Sequence, residues 1–342
     1  MDYNNGKNDE NKEPNSRVLI VDGLNTFIRA FAANPSVNDD GVHIGGLVGF
    51  LKSFRYSISK LKPTRCIVVF DGKDGSKRRR KLFPEYKQKR RVRDRLNRNV
   101  SWSDTPLGDE KTSMKMQIGR LIKYLEYLPV TIVYIDRTEA DDCIAYICTK
   151  LLPDEDKVIM STDKDFLQLI DNSTLVWNPT KKCIYDEKAV FEEYGLYAKN
   201  FITYKILNGD KSDNISGVRG AGLKTIIKNI PLMTEDKLFT IKDLISFTKN
   251  ASKKNKFLSN IHDSYLLLKR NYILMQLSDV DISNKIKLEI QSSVRRDIPQ
   301  FLKYKFSVMF MQDKLWSSIP DMDSWSKEFI RLNHFRKTYN GT

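Results

Sequence analysis

Nine carboxylates fall at five places where the chain changes from one kind of segment to another. Asp22 and Asp71 each close an apolar run, Glu139, Asp141 and Asp142 lie in EADD, Asp163 and Asp165 in STDKD, and Asp210 and Asp213 in GDKSDN. Taken singly, each has an ordinary explanation. Asp-Gly is a common turn, acids suit the first turn of a helix, and Thr138 or Thr162 would serve as helix caps. Gathered in one cleft, however, so many like charges cannot all stay ionised unless cations join them. An all-oxygen set in a chain with only three histidines (His43, His262, His334) suits Mg²⁺ or Mn²⁺ and leaves little for zinc or a histidine base. Two such ions about 3.5–4 Å apart carry out in-line phosphodiester hydrolysis, one acidifying water and the other holding the leaving oxygen. No side-chain nucleophile is then required, and the chain has neither a G-x-S-x-G elbow nor a G-x-x-x-x-G-K-[ST] loop.

The elements that must position these acids can be read from apolar periodicity. Val18 to Val21 is a short buried-strand run stopped by Asp22-Gly23, and Cys66 to Phe70 ends the same way in Asp71-Gly72. Leu47, Phe50, Leu51, Phe54, Ile58 and Leu61 recur at helical spacing until Pro63 breaks the pattern. Met114 to Leu125 reads as a helix, Val130 to Ile135 as a strand, Glu139 to Leu151 as a helix, and Lys157 to Met160 as a fourth strand. Strand and helix in alternation, with acids where strands end, predict an α/β fold with a Rossmann-like parallel sheet flanked by helices. Ligands of such sheets bind beyond the carboxyl ends of the strands, which is where these acids converge. After about Thr180 the pattern changes to helices and loops: Glu187 to Tyr194, Ala198 to Leu207, and Leu223 to Ile230 after a glycine-rich turn. The stretch Asn250 to Lys256 reads as a linker or solvated loop, and no internal repeat is found.

With 342 residues the chain has room for two domains, and 58 Lys+Arg against 43 Asp+Glu give it a formal charge of +15, which favours a polyanionic partner. The excess is concentrated. Between Lys73 and Arg98 thirteen basic residues face three acids, so this arm carries +10 of the +15. Arg78, Arg79 and Arg80 are expected to track a nucleic-acid backbone, with Phe83 and Tyr86 available to stack bases. In Gly217-Val218-Arg219-Gly220-Ala221-Gly222-Leu223-Lys224-Thr225 three glycines open a helix, where backbone N–H groups and Lys224 can approach phosphates. The first sixteen residues are polar and lack the apolar core of a signal peptide, so a disordered tail is expected. No run of 18 apolar residues predicts a membrane span, and Cys66, Cys143, Cys148 and Cys183 have no metal spacing. These features point to a cytoplasmic chain with ordinary thiols.

VDGLN, VVFDG, PEYKQKR, EADD, STDKDF, GDKSDN and GVRGAGLKT follow one another in an order that resembles the 5′ nuclease superfamily, both its bacteriophage flap endonuclease/ribonuclease H branch and the 5′-nuclease domain of bacterial DNA polymerase I. The motifs run from Asp22 to Thr225, about 60% of the chain. The resemblance implies a PIN-like nuclease domain over 17–185 including a helical arch at 72–105. A helix-hairpin-helix-type DNA-binding domain over 186–280 would follow, then an extension of unassigned role over 281–342. It further implies that Asp22, Asp71, Glu139, Asp141 and Asp163 hold one metal ion, while Asp142, Asp165, Asp210 and Asp213 hold or support the second, directly or through water. Lys87 and Arg90 match arch residues that reach the scissile phosphate, with Tyr86 nearby. Gly217, Gly220 and Gly222, with Lys224 and Thr225, would grip duplex DNA, with a bound K⁺. The implied function is a Mg²⁺-dependent 5′→3′ exonuclease and flap endonuclease with ribonuclease H-type activity. It would remove RNA primers and 5′ flaps in DNA replication as a monomer, with a single-strand-binding protein, clamp or polymerase as partner. The competing readings are a PIN-like RNA-processing nuclease and a catalytically silent module for branched DNA. The arch and glycine turn argue against the first, and the full set of acids argues against the second, since unused carboxylates only weaken phosphate binding. Gln312-Asp313-Lys314-Leu315-Trp316 lacks the trailing aromatic pair of a sliding-clamp peptide.

Overall fold

A computed structural model of the chain describes residues 16–88, 95–251 and 255–340. The expected disordered tail, apart from Ser16, and positions 89–94 of the basic arm lie outside the described residues. Elements run in the order β1 (Arg17–Asp22), α1 (Gly23–Ala33), α2 (Gly45–Leu61), β2 (Arg65–Asp71), α3 (Lys77–Leu82), α4 (Glu110–Glu126), β3 (Thr131–Ile135), α5 (Ala140–Tyr146), β4 (Asp156–Met160), β5 (Thr174–Asn178), β6 (Cys183–Tyr185), α6 (Glu187–Tyr194), α7 (Phe201–Asn208), α8 (Leu223–Asn229), α9 (Ile241–Ala251), α10 (Lys256–Asp263), α11 (Tyr265–Met275), α12 (Asn284–Arg295), α13 (Lys303–Gln312) and α14 (Met322–Asn340).

Six strands form one sheet in the order β3-β2-β1-β4-β5-β6, parallel except for β6 against β5. The apolar runs of β1, β2 and β4 are buried on both faces, which is why they read as continuous rather than alternating. β5 and β6 were not anticipated: TLVWN opens on a polar residue and CIY is only three residues long. The chain steps from β1 outward to β2 and β3, then crosses to β4 on the other side of β1. The direction of winding thus reverses beside β1, the place at which sheets of this kind bind ligands beyond their strand ends.

Two buried layers cover the sheet. On one side α5 packs with residues of α6 to α12 in a single apolar core that runs from Val18 and Ile67 to Ile290 and Val294. On the other side α1, α2 and α4 pack with α13 and α14, through Phe50, Phe54, Tyr124, Phe306, Trp325 and Phe329. The segment after residue 281 therefore contributes to both layers. Asp313 anchors it: its carboxylate accepts from Arg120 Nε (2.8 and 3.0 Å) and from the Tyr124 hydroxyl (2.7 Å). The end of the basic arm and the stretch after it fold back onto the core, where Asn97 donates to the Phe31 carbonyl and Trp102 stacks on Phe31. Cys66, Cys143 and Cys148 are buried free thiols. Among the described residues no helix is long and apolar enough to cross a membrane.

Candidate active site

The acids at the strand ends are tied to one another by the first turns of the helices that follow. Asp22 caps α1, accepting from Asn25 N at 3.2 Å, and its second oxygen accepts from Ser161 Oγ at 2.9 Å, just past β4. Ser161 in turn accepts from Asp163 N at 3.0 Å, and Asp163 accepts from Asp165 N at 2.9 Å. Asp71, at the end of β2, accepts from Ala140 N at 2.8 Å, so the start of α5 is pinned to the neighbouring strand. The chain turns at once after Asp71. A Cβ on Gly72 would lie 1.8 Å from the Ile135 carbonyl, so no larger residue fits beneath this carboxylate.

The electrostatics define two groups. Burial, together with repulsion from Asp71 and Asp163, raises Asp22 to about 7. Asp141 is raised well above the carboxylate range by burial and by Asp163, Asp22 and Asp71, against the opposing charge of Lys87. Asp22, Asp71, Asp141 and Asp163 thus share one field at the winding reversal. The second group is Asp163, Asp165 and Asp210. Asp165 is raised to about 7 by burial and by Asp163, while Lys205 Nζ stands 2.6 Å from both Asp165 Oδ1 and Asp210 Oδ2. Lys205 and Ser212 overcome the burial of Asp210 and bring it to about 2. Asp213 is tied to the arm through its carbonyl, which accepts from Lys87 N at 2.9 Å.

Glu139 and Asp142 are occupied by the protein's own cations. Arg79 Nη1 donates to Glu139 (2.5 Å) and Asp142 (2.7 Å), Nη2 donates to the other Asp142 oxygen (2.8 Å), and Nε donates to the Leu274 carbonyl (2.8 Å). The Lys87 ammonium also pairs with Glu139, from a residue whose φ of 57° lies in the left-handed region. Arg79 and Lys87 outweigh burial and hold Glu139 at about 2.

Oxygen donors with unbalanced negative charge fit a hard divalent cation. Among the described residues no three His, Cys, Asp or Glu side chains are closed up as direct ligands around one point.

A family described as "5'-3' exonuclease, N-terminal resolvase-like domain" matches residues 17–195. A 5'-3' exonuclease of Aquifex aeolicus is 30% identical over 283 residues, covering 80% of this chain and 91% of that protein. The chain belongs to the 5'-3' exonuclease family. DNA polymerase I of Bacillus subtilis is 31% identical over 278 residues, which cover 78% of this chain and 29% of the polymerase. The fold is that of a bacteriophage T5 flap endonuclease solved as a pseudo-enzyme–product complex with DNA and metal ions. The TM-score is 0.59 at 19% identity, over 93% of this chain and 99% of that one.

For this 5'-3' exonuclease, three expectations change on the geometry. Arg79 does not offer its guanidinium to a nucleic-acid backbone: it is 4% exposed and spends its donors on Glu139, Asp142 and Leu274. Tyr86 does not present a ring for stacking. It is buried with Ile215, Leu274 and Met275, and its hydroxyl faces Glu139 at 3.4 Å. Asp142 does not present a free carboxylate, because both its oxygens are engaged by Arg79. Arg78 lies 3.6 Å from both Asp142 and Asp281, while Arg80 is half-buried at the base of the arm. Arg90 lies outside the described residues. Gly217, Gly220 and Gly222 form the turn before α8 with Gly220 at φ +86°, and Lys224 is exposed on the first turn with Thr225 half-buried beside it. The residue that sequence reasoning missed is Lys205, the one charged residue of α7, where only its placement five residues before Asp210 hints at a pairing.

Proposed function

We propose that the chain is a structure-specific, Mg²⁺-dependent 5′ nuclease that removes 5′ flaps and RNA primers during DNA replication. Its substrates are 5′-flap DNA and RNA–DNA hybrids, and it acts as a monomer in the cytosol. The observation that carries this reading is the shared field of Asp22, Asp71, Asp141 and Asp163 at the winding reversal, with Lys87 of the basic arm reaching into it.

Asp22, Asp71, Glu139, Asp141 and Asp163 hold one cation, and Asp165, Asp210 and Asp213 hold the other, with Asp142 oriented by Arg79 in support. Bound there, divalent ions supply Lewis acidity to water and to the departing oxygen. Lys87, freed from Glu139, stabilises the charge that grows on the phosphate oxygens, a task shared with Arg90. The glycine turn with Lys224 and Thr225 holds the neighbouring duplex through backbone N–H groups and would take a bound K⁺. A replisome single-strand-binding protein, clamp or polymerase is the expected partner.

The test is to incubate the protein with a 5′-flap duplex and an RNA–DNA hybrid, with Mg²⁺ or with EDTA, beside Asp163→Asn. Release of short 5′ products from both substrates is expected only with Mg²⁺ and only from the native chain. Cutting in EDTA, or by Asp163→Asn at the native rate, overturns the two-ion reading.

A further inference from the structure

Helix α11 has an outer face at odds with its exposure. Leu268, Asn271, Leu274 and Met275 point inward. The opposite side of an amphipathic helix is ordinarily polar, yet here Leu266 is 78% exposed, Tyr265 47%, Ile273 39% and Tyr272 38%. Lys269 and Arg270 interleave with them. Between α11 and α3 lies a cavity of about 230 Å³ lined by Leu82, Leu266, Lys269, Arg270, Ile273 and Leu274, whose only charged members are cations.

The position of this face is as informative as its composition. Arg79 joins the carbonyl of Leu274 to Glu139 and Asp142, so the cavity and the acids are separated by one side chain. Arg270 lies over the Phe83 ring at 4.5 Å, at the base of the arm. On the inner side Asn271 donates to the Ile206 and Ser216 carbonyls, next to the glycine turn.

Apolar side chains clustered on a surface mark a binding site, and their alternation with cations selects the partner. Phosphates answer the cations, while aromatic and aliphatic groups need exposed base faces. A duplex keeps its base faces stacked inside, so only an unpaired strand satisfies both. We propose that the outer face of α11, with its cavity against α3, binds the unpaired 5′ arm of the substrate. This rests on the nuclease reading above and assigns that arm a track outside the acid site.

The experiment measures binding of the full chain, in Ca²⁺ to prevent turnover, to duplexes bearing no 5′ arm or an arm of roughly ten nucleotides. The variants are Leu266→Asp/Ile273→Asp and Lys269→Glu, all at exposed positions, with thermal unfolding as the check on folding. Loss of roughly tenfold in affinity is expected for the armed duplex alone. A 5-iodouridine placed in the arm should cross-link to the peptide carrying Tyr265 and Tyr272. Unchanged affinity, equal loss on both duplexes, or cross-links confined to other helices would overturn the proposal. So would a native dimer that the double variant converts to monomer, since the face would then cover a second copy. Arm-dependent binding by a chain that cannot cut the flap in Mg²⁺ would sink the nuclease reading and leave this one standing.

Discussion

Arg79 grips both oxygens of Asp142, Nη1 to Oδ2 at 2.7 Å and Nη2 to Oδ1 at 2.8 Å, with neither partner open to solvent. A buried two-point contact of this kind fixes the plane of the carboxylate and cancels its charge. The same guanidinium also pairs with Glu139, so one cation offsets two of the carboxylates beside the strand ends. Replacing Arg79 by Ala should tighten Mn²⁺ binding, read by electron paramagnetic resonance, and lower single-turnover cleavage by at least about tenfold, with duplex affinity little changed. Arg79→Lys keeps the charge without the fork and should restore native Mn²⁺ affinity with only part of the rate. Weaker duplex binding at unchanged Mn²⁺ affinity would instead make Arg79 a DNA contact.

The metal-free protein should lose stability as pH rises. Asp22 and Asp165, both at about 7 in the fold and near 3.8 when unfolded, keep protons that the unfolded chain gives up. Stability from these groups is complete below about pH 4, declines through pH 7 and is level above, at up to about 1.4 kcal/mol per group per pH unit. Glu139 and Asp210, held at about 2, act in the opposite sense, and their contribution is lost as pH falls from about 4 towards 2. Thermal unfolding in EDTA should show the decline from pH 5 to 7, and added Mg²⁺ should raise the melting temperature more at pH 8 than at pH 5.5. A flat profile in EDTA would contradict the crowding of these acids.

Lys205 serves Asp165 and Asp210 as a built-in counter-ion. Removing one member of a buried ion pair costs about 3–5 kcal/mol, so Lys205→Ala should melt well below the native chain in EDTA. A divalent cation should recover more of that loss in the variant than it adds to the native protein, because it takes over the charge that the lysine supplied. Equal Mg²⁺-induced shifts would show that Lys205 and the ion do not compete.

Asp313 joins α13 to α4 through Arg120 and Tyr124, in the layer on the side of the sheet away from α5. Asp313→Ala should destabilise the fold by about 2–3 kcal/mol, read by urea unfolding, while the rate of the folded protein on a flap stays native. A fall in turnover without a change in stability would assign the C-terminal helices a direct part in the reaction.

The strands that carry the acids were legible because parallel strands buried on both faces spell continuous apolar runs, and their ends are marked by Asp22, Asp71 and Ser161. The grouping of acids followed from that sheet. What was not legible depended on contacts between distant segments. Arg79 sits in a run of basic residues that reads as solvated, and only the arrival of α5 and Leu274 buries it. Tyr86 has the composition of a stacking residue, but its environment is set by Ile215 and Met275, more than a hundred residues away. Phe301, Phe306 and Phe329 are visible as apolar positions, yet nothing local indicates that they close the face of a sheet begun at Arg17.

That closure governs the order of events during synthesis. Asn38 donates to the carbonyl of Asp313, 275 positions later, and the layer containing Phe27, Phe54 and Tyr124 is completed by Phe306, Trp325 and Phe329. A chain emerging from the ribosome makes its acids and its basic arm before α13 and α14, and it cannot bury this face until those two helices appear. Contacts of such span fold late and slowly. The nascent protein therefore completes this layer, and with it the packing behind the strand ends, only after α13 and α14 have been made.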